Sequence, residues 1–171
     1  MVTMDTVRIK VRRIHSRIYS WLTLAEYVAL PVSDLISIPK TTASATELAP
    51  LLCAGGTALG AVRSANLNPG EWLCVAGAAG GVGGLAVKYS KHFGYRVVAI
   101  DSSHKESYCK NLGADAFVGY EESTTVVQRV TEATGGGVHG TVVCNASPAS
   151  YSLVSSTASR FVPQISKATE T

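Results

Sequence analysis

Residues 72–84 read WLCVAGAAGGVGG, and this stretch decides the fold of the chain. An apolar, strand-like run leads directly into a glycine-rich turn with the spacing G-x-x-G-G-x-G, from Gly77 to Gly83. A helix-compatible segment follows and extends to Lys91. Glycines in this context allow a tight turn, let backbone N–H groups approach an anion, and let the helix pack closely on the strand. Taken alone, the glycine run also fits a strand-to-helix turn that binds nothing.

An acidic residue follows the next predicted strand. The strand over 96–100, RVVAI, ends at Asp101, the place where an acid hydrogen-bonds the ribose hydroxyls of an adenine dinucleotide. A carboxylate there repels a 2′-phosphate and so favours NAD over NADP, and Lys105 could reach the same ribose. The alternative for Asp101 is a plain helix-capping role. Loop, strand and acid together predict dinucleotide binding. The candidate residues are Gly77, Gly80, Gly81, Gly83, Asp101 and Lys105.

Strands and helices alternate after residue 72. The predicted strands are 72–77, 96–100, 116–120 and 141–144. The predicted helices include one that Ser103 and Glu106 would begin as a capping box, one over 123–134 and one over 148–159. This alternation predicts an α/β, Rossmann-type, doubly wound parallel sheet in the order 3-2-1-4. No fifth strand is predicted, so we expect a truncated sheet with about four of the six strands of a full dinucleotide-binding domain.

Composition narrows the class of protein. The chain has 171 residues, enough for one domain, and a net charge of +3. Residues 1–20 hold five basic side chains against one acidic one, and the remainder is slightly acidic, so no nucleic-acid partner is predicted. The four cysteines form no CxxC pair, which indicates a reducing, cytoplasmic compartment, although the basic arm is also compatible with a mitochondrial presequence. We predict no membrane association, because no apolar run reaches the roughly 18 residues that are needed to cross a bilayer.

The amino-acid sequence around these motifs resembles that of one protein family. The matching segments are LAEYVALPVSDLISIP (24–39), ELAPLLCAGGTALGAV (47–62) and GEWLCVAGAAGGVGGLAVKYSKHFGYRVVAIDSS (70–103), followed by LGADAFV and GGVHG. From about Leu24 to Ser156 the chain is similar to the zinc-dependent medium-chain alcohol dehydrogenases, particularly the microbial tetrameric type. The combination of PLLCAGGTA with GAAGGVGGLAV is far more specific than a lone glycine motif.

The resemblance implies a reaction and roles for single residues. It implies hydride transfer between a primary or secondary alcohol and NAD, assisted by zinc, in a homo-oligomer. Cys53 would be a zinc ligand, although from its residue type alone it fits a small buried thiol. Thr57 would contact the nicotinamide and count as catalytic, and Val82 would lie behind the nicotinamide ring. Asp101 and Lys105 would be the ribose-binding pair.

Both ends of the chain depart from the family pattern. Residues 1–23 form an unmatched basic arm, and 24–45 correspond to a short β remnant of the GroES-like catalytic domain. Residues 46–156 would be the incomplete NAD-binding domain, followed by an unmatched tail over 157–171. We therefore expect a fragment, and because one cysteine does not hold a catalytic zinc, we expect NAD binding without turnover.

Two other functions stay open at this point. The first is a zinc-free quinone or enoyl reductase of the same superfamily, which would use NADPH; Asp101 and Cys53 both argue against it. The second is a non-catalytic nucleotide-binding or subunit-interaction module. Binding of NAD without turnover would favour that second function.

Overall fold

The structure is a computed structural model, and it describes residues 37–122, 126–145 and the backbone of 158–163. The chain divides into two compact units, Met1–Thr42 and Ala43–Thr171. Only residues 37–42 of the first unit are described, whereas the second unit holds every helix and strand reported below. The predicted arm, most of the predicted catalytic-domain remnant, most of the predicted helix over 148–159 and residues 164–171 lie outside the described residues.

The second unit begins with a composite helix. Helix α1 (Ala45–Pro50) starts at a capping box, in which the Ser44 side chain accepts from the N–H of Glu47 and the Glu47 side chain accepts from the N–H of Ser44. Pro50 has no N–H to donate, and the next five residues, Leu51–Gly55, wind as a π-helix. Helix α2 (Gly56–Ser64) then continues to the turn before the sheet.

The composite helix also bears on the predicted absence of membrane association. Ala45–Ser64 spans 20 residues and contains an 18-residue window with a mean hydropathy of 1.3, so by length and composition it could cross a membrane. By this measure the chain does contain a segment that is long and apolar enough, contrary to the prediction from the sequence. Ala58, Ala61 and Val62 of this helix are fully buried in the core of the domain. A helix that packs one face on a protein core can be as long and as apolar as a membrane span. Helix Ala45–Ser64 is therefore only weak evidence for a membrane protein.

Within the part of the chain that the structure describes, five parallel strands form one sheet in the order β3-β2-β1-β4-β5. Their bounds are β1 Trp72–Ala76, β2 Arg96–Asp101, β3 Ala116–Gly119, β4 Val138–Val143 and β5 Ala158–Pro163. The α/β class and the order 3-2-1-4 of the first four strands are confirmed. The missing fifth strand is a correction: β5 pairs with β4 from Val138 to Val143. A six-residue segment becomes a strand through such pairing, which its local sequence does not reveal.

Helices cover both faces of the sheet. Helix α3 spans Gly81–His92, α4 spans Glu106–Asn111 and α5 spans Val126–Thr134. Leu73 and Val75 of β1 belong to one buried cluster, with residues of α2, α3 and α4. Trp72, Cys74 and Ala76, which alternate with them along the strand, belong to a second cluster with residues of α5. Two covered faces are what a doubly wound sheet requires, and they explain why the central strand β1 reads as an unbroken apolar run.

The predicted capping box of α4 is wrong. A short 3-10 helix, Ser103–Lys105, precedes α4, and neither of them begins with a side-chain cap. The Ser103 hydroxyl instead donates to Glu121, and Glu106 forms an ion pair with Lys110 within the helix. Tertiary contact with the segment after β3 therefore outweighs the local S-x-x-E pattern.

Candidate functional site

The glycine loop lies at the carboxyl end of β1 and is tied to the neighbouring strand. Gly77 has φ +77°, a left-handed conformation in which a side chain would be strained. The N–H groups of Gly77 and Ala78 both donate to the carbonyl of Ile100, at 2.9 and 3.3 Å. The N–H of Gly80 donates back to the carbonyl of Gly77 at 3.1 Å. The loop is therefore a tight, internally bonded turn anchored on β2.

Gly83 sets how closely α3 approaches this loop. It is buried in the first turn of the helix, and a Cβ added to it would overlap the carbonyl of Gly77. Gly81, two residues earlier, is exposed, and a Cβ there would meet nothing within 4 Å. The two glycines therefore differ in role: Gly83 is needed for packing, whereas Gly81 leaves open space at the helix N-terminus.

The N-terminus of α3 fits an anionic ligand. The residue that precedes the helix, Gly80, has extended backbone and no side chain that could cap the first amides. A helix of 12 residues carries partial positive charge at this end, and its first N–H groups lack intrahelical partners. Val82 lies in this first turn and is half-buried. The described residues thus provide what a pyrophosphate group needs, namely open space, amide donors and a favourable dipole.

Asp101 joins the loop to the end of β2. One oxygen of its carboxylate, Oδ2, accepts from the N–H of Ala79 at 2.8 Å, and Oδ1 accepts from the N–H of Ser102 at 2.8 Å. The side chain is half-buried. Because a carboxylate can accept about four hydrogen bonds, lone pairs are left over for a ligand. Asp101 therefore orders the glycine loop and still has acceptor capacity at the position predicted for ribose binding.

Lys105 is less closely connected to this site. It ends the short 3-10 helix after β2 and is exposed, and within 37–122 and 126–145 it forms no ion pair with Asp101. Ser102, next to Asp101, shares a hydrogen bond of 2.7 Å with the hydroxyl of Tyr120, which follows β3. The segments after β2 and β3 are thus joined beside Asp101.

Glu121 strengthens the same junction, and sequence reasoning missed it. Its Oε2 accepts from both the N–H and the hydroxyl of Ser103, each at 2.9 Å. These hydrogen bonds, the backbone one first, lower the pKa of Glu121 below its ordinary value. Nothing in the sequence around Glu121 indicates this contact, because it depends on β2 and β3 being neighbours in the sheet.

Cys53 and Thr57 lie one turn apart on the composite helix. The Thr57 hydroxyl donates to the carbonyl of Cys53 at 3.0 Å, and both residues are exposed. The π-helical turn packs on α3 through Gly55, since a Cβ there would lie 3.2 Å from the hydroxyl of Tyr89. The alternative of Cys53 as a small buried thiol is not what the structure shows.

The other three cysteines are core or partly buried thiols. Burial raises the pKa of Cys74 to about 12 and the pKa values of Cys109 and Cys144 to about 11. Among residues 37–122 and 126–145, no group of three or more His, Cys, Asp or Glu side chains could hold a metal ion. The described part of the chain therefore does not fit a zinc ion, because a zinc site takes three or four protein ligands.

Comparisons with known proteins agree with this geometry. The model of the zinc-binding dehydrogenase family matches residues 81–160. Alcohol dehydrogenase from Schizosaccharomyces pombe is 44% identical over 104 residues, which cover 60% of this chain and 30% of that protein. Alcohol dehydrogenase 1 from Caenorhabditis elegans is 42% identical over 120 residues, 70% of this chain and 34% of the relative. The resemblance of the sequence to the zinc-dependent alcohol dehydrogenases is therefore confirmed, and residues 81–160 match the zinc-binding dehydrogenase family.

The fold of the chain is also found in solved structures. CurK enoyl reductase superimposes with a TM-score of 0.65 at 26% identity, over 75% of this chain and 39% of that one. The chain spans about a third of the length of the curated alcohol dehydrogenases that it matches. The residues that match the zinc-binding dehydrogenase family model include the helix that begins at the glycine loop and the strands β2, β3 and β4.

Proposed function

We propose that this chain binds NAD and supplies the dinucleotide-binding part of an oxidoreductase of the alcohol dehydrogenase type. The observation that carries the proposal is the contact between Asp101 and the glycine loop, which places an acidic acceptor beside an uncapped helix N-terminus. Pyrophosphate would lie at that N-terminus, and Asp101 would accept from the adenosine ribose. The curated relatives are named alcohol dehydrogenases, which supports an alcohol as the substrate class of the whole protein.

The residues of this chain have separate tasks in such a site. Gly77, Gly80 and Gly83 shape the loop, and Gly81 keeps the space in front of it open. Val82 and Thr57 are proposed to contact the nicotinamide end. NAD, when bound, accepts or delivers hydride at its nicotinamide ring.

Zinc enters this proposal only as a family property. Because Cys53 lacks companion ligands within 37–122 and 126–145, we derive no zinc-dependent step for this part of the chain. The functional prediction for the 171-residue polypeptide is NAD binding. An enoyl reductase is the second candidate, which the likeness to CurK enoyl reductase favours. Preference for NADP would support that candidate, and preference for NAD would support the alcohol dehydrogenase type.

Calorimetric titration with NAD tests the proposal. Asp101→Asn should weaken NAD binding by about tenfold or more, since a hydrogen bond to a charged group contributes about 1.5–3 kcal/mol. Asp115→Asn is the matched control: Asp115 also accepts from a backbone N–H of β2, that of Val97, but at the strand's opposite end. The affinity of the Asp115→Asn variant for NAD should stay within about twofold of that of wild type. Absence of NAD binding by a folded wild-type chain, or equal losses in both variants, would reject the proposal.

A further inference from the structure

Two carboxylates lie at the adjacent ends of β2 and β3. Asp101 ends β2 and is the register partner of Gly119, which ends β3. Glu121 follows two residues after Gly119, and its Oε2 would lie 3.4 Å from a Cβ added to that glycine. The Glu121 carboxylate is therefore close to the backbone position that pairs with Asp101.

Two hydrogen bonds from Ser103 hold the carboxylate of Glu121 in place. Ser103 donates its N–H and its hydroxyl to the same oxygen of Glu121. Gly119 makes this approach possible, because any Cβ on Gly119 would overlap the Ser103 hydroxyl. Tyr120 and Ser102 form a second link between the same two segments. The negative charge of Glu121 thus stays in place beside the segment that follows Asp101.

We propose that Glu121 is a second specificity-determining residue, which acts with Asp101 to exclude dinucleotides that carry a 2′-phosphate. This inference rests on the proposed NAD site, in which the adenosine ribose hydroxyls meet Asp101. A 2′-phosphate on that ribose would bring about two negative charges to the ends of β2 and β3, where Asp101 and Glu121 already carry one each. Glu121 also uses both donors of Ser103, which a phosphate would otherwise need.

The expected size of the effect follows from Coulomb's law. At low ionic strength, which is the condition of the test below, a single carboxylate and a doubly charged phosphate about 7 Å apart in a solvent-like dielectric repel each other enough to reduce binding by about five- to tenfold. NAD has no charge at this position, so removal of the Glu121 charge should leave NAD affinity nearly unchanged. The discriminating quantity is the ratio of the affinities for NADP and NAD, rather than either affinity alone.

The test uses the full chain and measures the dissociation constants of NAD and NADP at low ionic strength. Glu121→Gln keeps the size of the side chain and removes its charge, and Glu121→Lys reverses the charge. Glu132→Gln is the matched control, because Glu132 is an exposed carboxylate on α5 whose partner is Gln128 of the same helix. The same substitutions are repeated with Asp101→Asn, where NADP binding is easier to measure. A thermal melt of each variant confirms that it is folded.

The proposal expects the NADP-to-NAD affinity ratio to rise about five- to tenfold in Glu121→Gln and further in Glu121→Lys, with no change in Glu132→Gln. An unchanged ratio in the Glu121 variants, while wild type binds NAD, would overturn this inference and leave the proposed function intact. Failure of the folded wild-type chain to bind NAD would overturn both.

Discussion

Gly83 is a position at which the fold leaves no room for a side chain. A Cβ at this position would overlap the carbonyl of Gly77, which is part of a tight turn and cannot easily move. We expect Gly83→Ala to lower the free energy of unfolding by about 2 kcal/mol or more, because overpacking of this kind displaces backbone. Chemical denaturation followed by circular dichroism measures this change.

Gly81→Ala is the matched control for Gly83→Ala. It adds the same methyl group to the same turn of α3, in open space, and alanine favours a helix more than glycine does. Its stability should equal or exceed that of wild type. Equal losses in the two variants would mean that the close approach of α3 to the loop is not what Gly83 provides.

Residue identity alone predicted some of the site and missed some of it. The glycines and Asp101 are visible in the sequence because their types and spacing follow from the contact that they would make with a dinucleotide. The hydrogen bond from Ala79 to Asp101 was not predicted, since any residue at 79 could donate its N–H. Whether these residues bind NAD stays a prediction.

The contact between the segments after β2 and β3, formed by Ser103 and Glu121, predicts how stability depends on pH. The hydrogen bonds from Ser103 lower the pKa of Glu121 in the folded state, so the ionised carboxylate stabilises the fold. A lowered folded pKa means that this contribution is complete above the ordinary pKa of 4.5. It is lost as the pH falls through the folded pKa. The stability difference between wild type and Glu121→Gln should therefore be constant near neutral pH and shrink below about pH 4.5.

Denaturation midpoints measured from pH 7 to pH 3 test this expectation. Glu132→Gln again serves as the control, since its carboxylate does not connect two strands. A difference between wild type and Glu121→Gln that grows as the pH falls would contradict the account. Such a result would mean that the neutral form of the side chain holds the junction.

Element order was predictable where the apolar pattern is strong. The strand β1 and residues 97–100 of β2 are buried on both faces and therefore read as unbroken apolar runs. Three features were not predictable, because each depends on partners remote in sequence or on backbone geometry. They are the strand β5, the π-helical turn at Leu51–Gly55 and the replacement of the Ser103–Glu106 capping box by the contact with Glu121.

At the scale of the whole molecule, the topology explains where the site lies. Strand β1 is central, and the chain moves from β1 outward through β2 and β3 before it returns to the other side at β4. In doubly wound sheets, ligands bind at the carboxyl ends of the strands beside this point of reversal. The glycine loop follows β1 there, with Asp101 at the end of β2 next to it.

Above all, we propose that NAD contacts the loop between β1 and α3. A titration of the isotope-labelled chain with NAD, followed by amide NMR, tests it most directly. We predict large shifts for the amides of Ala79, Gly81 and Gly83 and for Asp101. We predict none for Gly135–Gly137, a second glycine run that follows α5. Shifts confined to other parts of the chain, with the amides of 77–83 unmoved at saturating NAD, would contradict it.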